Sequence, residues 1–92
     1  MENKIKQIAL HYGTEKQVIK TVEELGELIV ALQKLQQNLS SANLQSVIEE
    51  IADVEIMTAQ LKYLYSCDTD IWAVKAAKLN RQLERIRGEG NG

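Results

Sequence analysis

Ninety-two residues pass without a single proline. Proline removes a backbone donor and clashes with the preceding helical turn, so its absence lets helices run unbroken. Glycine is the other breaker, and three of its five copies fall in the tail Gly88-Glu89-Gly90-Asn91-Gly92. Between the remaining turn signals, apolar residues recur at intervals of three and four, the period of an α-helix. A short first helix is expected over Glu2 to His11, stopping at Tyr12-Gly13. Thr14-Glu15-Lys16-Gln17 reads as a capping box that opens a second helix to Gln37, with Val18, Val22, Leu25, Ile29 and Leu32 on one stripe. Asn38-Leu39-Ser40-Ser41 is turn-like, and Ser40 or Ser41 can cap a third helix to Tyr65. A fourth helix spans Asp70 to Arg87. The chain is expected to be all-α: a four-helix, antiparallel, bundle-like protomer over residues 1–87, with a frayed tail at 88–92.

Composition narrows the function classes. Eleven Lys and Arg against thirteen Asp and Glu give a net charge of −2, so no basic excess points to nucleic acid. The single cysteine, Cys67, allows no disulfide within the chain and no cysteine-based zinc site. The start Met-Glu-Asn-Lys-Ile-Lys lacks the apolar run of a signal peptide, and no stretch nears the ~20 apolar residues of a membrane span. A cytoplasmic protein with no membrane partner is expected. A lone domain of this size buries only about 60–65% of its chain surface, and the second and third helices carry apolar residues on more than one arc, so a homodimer or homotetramer is expected.

One internal echo carries chemistry. Val22-Glu23-Glu24-Leu25-Gly26-Glu27-Leu28 and Ile48-Glu49-Glu50-Ile51-Ala52-Asp53-Val54 share the order apolar, Glu, Glu, apolar, small, acid, apolar. Within each copy the second Glu and the last acid are three apart and project from one helix face. In an antiparallel hairpin, facing residues have position numbers with a constant sum. Glu24 with Asp53 and Glu27 with Glu50 share one sum, within one or two residues, or ~3 Å of rise, of the register that a turn near residues 39–41 sets. Four carboxylates therefore come to one level. Such a group repels itself unless a cation sits inside it. Oxygen ligands without His or Cys suit magnesium, or manganese. Gly26 and Ala52 leave room beside the acids for a helix or a ligand.

An isolated acid-rich helix face is ordinarily solvated surface, and Lys16, Lys20 and Lys34 share the arc of Glu24 and Glu27. The third helix differs, because Glu50 and Asp53 lie in line with Met57, Leu61 and Leu64. Glu55 stands on the arc of Leu44, Ile48 and Ile51, as a bundle edge or a polar contact between subunits. On the fourth helix Trp72, Ala76, Leu79, Leu83 and Ile86 form an apolar stripe, with Trp72 expected in the core. Lys78, Arg81 and Arg85, with Lys75 at the edge, form a basic one. Beside a metal site those cations could bind phosphates. No GxxxxGK[ST] loop and no Glu-x-x-His occur, which removes the phosphate-loop and di-iron alternatives.

The chain resembles the MazG-like family of all-α nucleoside triphosphate pyrophosphohydrolases. The resemblance rests on Glu23-Glu24-Leu25-Gly26-Glu27, a 22-residue spacer and Glu50-Ile51-Ala52-Asp53. His11-Tyr12-Gly13…Gln17 and Lys78-Leu79-Asn80-Arg81…Arg85 extend it loosely over nearly the whole chain, in the manner of compact bacterial and phage members. It implies Mg²⁺ ligation by Glu24, Glu27, Glu50 and Asp53, with Glu23 as an accessory acid. It also implies dimers or tetramers in which a neighbouring subunit helps to close the pocket. The expected reaction is hydrolysis of a nucleoside or deoxynucleoside triphosphate to monophosphate and pyrophosphate, in nucleotide-pool cleansing or control. Glu23, Glu24 or Glu27 would take the proton of water, while Lys75, Lys78, Asn80, Arg81 and Arg85 would hold phosphates. The alternatives are a non-catalytic helical interaction or regulatory module and a pyrophosphohydrolase for another diphosphate-containing substrate.

Overall fold

Local chemistry sets each helix boundary. The computed structural model describes residues 1–91, and they form four helices with no strand among them: α1 (Glu2–Tyr12), α2 (Thr14–Gln37), α3 (Ser41–Leu64) and α4 (Asp68–Asn91). α1 and α2 are separated by Gly13 alone, at φ 85° and ψ 169°, a conformation open to glycine and strained for other residues. Gly13 closes α1 by donating its N–H to the Ala9 carbonyl at 2.8 Å, and its own carbonyl accepts from Gln17 N–H at 3.1 Å. The expected capping box therefore does not form. With a one-residue link, Gly13 takes the N-cap position, Thr14 falls inside the helix, and no side chain caps it.

Ser40 caps α3, accepting from the Asn43 N–H at 3.1 Å. Asn43 also donates from Nδ2 to the carbonyls of Asn38 (2.8 Å) and Lys34 (3.3 Å), pinning the α2–α3 turn from both sides. α3 ends in a Schellman arrangement: Cys67 N–H donates to the Lys62 carbonyl and Ser66 N–H to that of Tyr63. The position usually held by glycine is Ser66, at φ 52°. Lys62 reaches Asp68 at 3.9 Å across this turn. α4 starts two residues before the expected Asp70 and runs beyond Arg87 through Gly88 and Gly90 to Asn91. Helix thus covers most of the expected frayed tail, whose last residue, Gly92, lies outside the described residues.

α2 and α3 form an antiparallel hairpin, and α1 packs across both. α4 makes no comparable contact with any of them, and the molecule extends over 52 × 36 × 21 Å. The four-helix bundle expected within one chain is therefore three packed helices and a fourth that stands apart. The turn at Ser66–Cys67 sends α4 away before its apolar stripe can meet the hairpin. Trp72, expected in the core, is 70% exposed. The buried apolar set is only Ala9, Ala31, Val47 and Met57, joined by the polar Gln17, Thr21, Glu24 and Gln60. No helix among the described residues is long and apolar enough to cross a membrane.

Candidate metal centre

The hairpin sets the site. Gln17 donates from Nε2 to Oε1 of Gln60, joining α2 to α3 at residues whose numbers share the sum of the acid pairs. One and two turns along from this lock come Thr21 and Glu24, both buried, and Thr21 Oγ1 donates back to the Gln17 carbonyl at 2.6 Å. The register expected from the echo is thus the register observed.

One carboxylate oxygen from each of Glu24, Glu27 and Glu50 lies within 4.8 Å of the others. Glu24 is 7% exposed. Its Oε1 meets Lys20 Nζ at 3.3 Å, and Lys20 also reaches Glu23 at 3.5 Å. A hydrogen bond and the charge of Glu24, then the charge of Glu23, hold the Lys20 ammonium above the usual lysine range. The solvated-face reading therefore describes Glu23 and one oxygen of Glu24. It also describes Glu27 and Asp53, both exposed, but not the second oxygen of Glu24 or the partly buried Glu50. Oε2 of Glu24 and Oε2 of Glu50 are both buried and meet no hydrogen-bond partner among the described residues. Leaving buried carboxylate oxygens unpaired is costly, so each wants a cation or a proton.

The acidity of Glu50 reflects this burial. Loss of water around it raises its pKa above the ordinary carboxylate range, and the charges of Glu27, Asp53 and Glu24 push in the same direction. A hydrogen bond to Glu27 adds to this. Asp53 is close enough to be felt, yet it is exposed and outside the cluster of three. Its side chain is one methylene shorter, and three residues along a helix turn it about 60° away from Glu50.

A groove of about 530 Å³ opens beside the cluster, lined by Glu23, Gly26, Glu27, Lys34, Ser46 and Glu50 among others. Nothing among the described residues lies within 4 Å of where a Gly26 side chain would begin, so no helix approaches it. Ala52 is exposed. The room expected for a neighbouring helix is not used within the chain, and at Gly26 it belongs to the groove. Lys34 and Ser46 were not picked out by sequence as groove residues. Each stands on the acid-bearing face of its own helix, Lys34 two turns beyond Glu27 and Ser46 one turn before Glu50.

The chain matches no known protein family, no curated protein and no solved structure. The basic residues of the fourth helix are not part of this groove. Lys75 and Lys78 border a shallow apolar depression with Ile71 and Val74, while Lys78, Arg81 and Arg85 border another with Gln82. Asn80 is exposed on the same helix. Three of the four expected ligands are brought together, and the expected phosphate-binding row stands apart from them on α4.

Proposed function

We propose that the chain is a divalent-metal-dependent pyrophosphohydrolase of MazG-like type, converting nucleoside or deoxynucleoside triphosphates to monophosphate and pyrophosphate in the cytoplasm. The observation that carries this reading is the pair of buried, unpartnered oxygens on Glu24 and Glu50, in a cluster that Glu27 completes. An all-oxygen set fits a hard cation, magnesium or manganese. Glu24, Glu27 and Glu50 would hold it, with Asp53 as the fourth carboxylate one turn on. When bound, such an ion supplies neutralisation of the charge that develops on the transferred phosphoryl group.

The chain's own residues do the rest. Glu24, Glu27 and Glu50 orient the site, and Glu23, on the groove wall but outside the cluster, takes the proton of the attacking water. The bond broken is the anhydride between the α- and β-phosphates. Lys34 is the cation of the groove itself and steadies a phosphate. Lys75, Lys78, Asn80, Arg81 and Arg85 reach the groove only from the α4 of a neighbouring subunit, so the working unit is a homodimer or homotetramer.

The test is pyrophosphate release over canonical and modified nucleoside triphosphates, with other diphosphate-containing compounds as a further arm, each in Mg²⁺, Mn²⁺ and EDTA. Turnover with Mg²⁺ that EDTA abolishes is expected. Turnover indifferent to EDTA would remove the metal mechanism. A second reading, a non-catalytic interaction module, is favoured by the exposed apolar stripes of α2, α3 and α4. It predicts no turnover on any substrate and no Mg²⁺-dependent rise in melting temperature.

A further inference from the structure

Lys20 stands one turn before the paired acids of α2, at helical spacing from both Glu23 and Glu24. A lysine so placed beside exposed glutamates is ordinary helix decoration and contributes little. Two observations set this one apart. Its nearer contact, Nζ to Glu24 Oε1 at 3.3 Å, ends on a side chain only 9% exposed, while the lysine itself is 52% exposed. The other oxygen of that carboxylate is buried and meets no hydrogen-bond partner among the described residues. Glu24 is therefore shared. One oxygen is taken by an ammonium reaching in from solvent, and the other is left bare beside Glu27 and Glu50.

No other cation holds this position. Among the described residues Lys20 is the one lysine or arginine that pairs with Glu23, Glu24, Glu27, Glu50 or Asp53. Lys34 lines the groove with Glu27 and Glu50 yet pairs with neither. The second contact of Lys20, to Glu23 Oε2 at 3.5 Å, gives its ammonium a place to stay if Glu24 is claimed by another cation.

We infer that Lys20 is the built-in counter-ion of the acid cluster and sets the concentration at which a divalent cation fills it. The inference rests on the metal-site reading proposed above. Its physics has two sides. With no ion bound, the ammonium offsets part of the repulsion among the clustered carboxylates and steadies the folded chain. An entering ion meets that same positive charge. It must either share Glu24 with the ammonium or displace it, and both routes weaken binding. A unit charge about 6 Å from a divalent ion lowers its affinity by about tenfold in a water-like dielectric. Lys20 thus keeps the empty protein stable where divalent ions are scarce, and it delays filling until they are abundant.

The experiment titrates the full chain with Mn²⁺ at low ionic strength and follows free Mn²⁺ by electron paramagnetic resonance. Lys20→Met and Lys20→Gln are expected to bind Mn²⁺ about tenfold more tightly than the parent. Lys20→Arg keeps the charge and should bind as the parent does. Lys16→Met is the control, since Lys16 is exposed one turn earlier on the same helix and pairs with none of these acids. It should fall well short of the tenfold change. In EDTA the two Lys20 variants that lose the charge should melt below the parent, and saturating Mn²⁺ should narrow that difference. The added tightness should also fade in about 1 M salt, where charges are screened within a few ångströms. Lys20→Met and Lys20→Gln binding Mn²⁺ no more tightly than the parent would overturn the inference and leave the metal site standing. Equal tightening in Lys16→Met would overturn it too, by making the effect one of net charge. Mn²⁺ binding by neither the parent nor any variant would remove the metal site itself, and the inference with it.

Discussion

Gln17 and Gln60 hydrogen-bond to each other across the α2–α3 contact, and both are closed off from water, at 5% and 1% exposure. Glu24 follows Gln17 by seven residues, about 10.5 Å along the helix, so a slip at this pair is carried directly to the acids. Removing one partner strands the other. Gln60→Leu is expected to cost about 1–3 kcal/mol, whereas the double variant Gln17→Leu/Gln60→Leu should cost less than the single change. Urea unfolding of both single variants and the double one measures this. If the pair sets register, the double variant will also show a smaller Mg²⁺-induced rise in melting temperature.

The carboxylates should separate by their placement. Glu50→Gln and Asp53→Asn both remove a like charge, so each apo variant should melt slightly above the parent. Both should lose Mg²⁺-induced stabilisation, Glu50→Gln more completely because Glu50 belongs to the cluster of three and Asp53 stands outside it. Turnover should fall by orders of magnitude in each. Glu49→Gln, on an exposed position beside the cluster, should change neither. Melting curves with and without Mg²⁺ give the answer, and an unchanged Mg²⁺ shift in Glu50→Gln would remove the site.

Acidity provides an independent check on Glu50. Its folded pKa is raised above the ordinary carboxylate value at which the unfolded chain titrates. As pH falls through the folded value, the folded protein takes up the proton before the unfolded chain does. The group's contribution to stability therefore rises, and it levels off below the unfolded value. The stability advantage of Glu50→Gln over the parent should accordingly be largest near neutral pH and shrink as pH drops toward the ordinary carboxylate range. Mg²⁺ stabilisation should weaken over the same range, since protons compete with the cation. Thermal melts across pH, with and without Mg²⁺, report both trends.

Two backbone positions call for opposite exchanges. Gly26 lies inside α2 with open space around it, so Gly26→Ala should stabilise by about 0.5–1 kcal/mol. Ser66 holds a left-handed conformation that suits glycine, so Ser66→Gly should stabilise by up to about 1 kcal/mol. Urea unfolding tests both. A Gly26→Ala variant that is more stable but turns over more slowly would mean that substrate comes close to this point of the groove.

Much of this was legible from the residues alone. Helical period and the missing prolines determined four helices, and the repeated acid motif announced the hairpin register together with Glu24, Glu27 and Glu50. What escaped depends on contacts distant in sequence. Gln17 resembles the last residue of a capping box, and nothing local reveals that Gly13 takes the cap or that Gln17 turns inward to Gln60. The apolar stripe of α4 has the same pattern whether it packs on its own chain or elsewhere. Its direction is decided at Ser66, a residue type with no strong preference for the left-handed turn it makes.

Among the buried apolar residues only Val47 and Met57 are larger than alanine. With the homo-oligomer proposed above, so small an interior would tie folding to encounter between chains. Refolding should slow on dilution as a second-order process, and melting temperature should climb with protein concentration. Inside a cell, chains made faster than they are degraded would find one another and persist, while scarce ones would stay open to proteases. The amount of working protein would then respond more than proportionally to the rate of its synthesis.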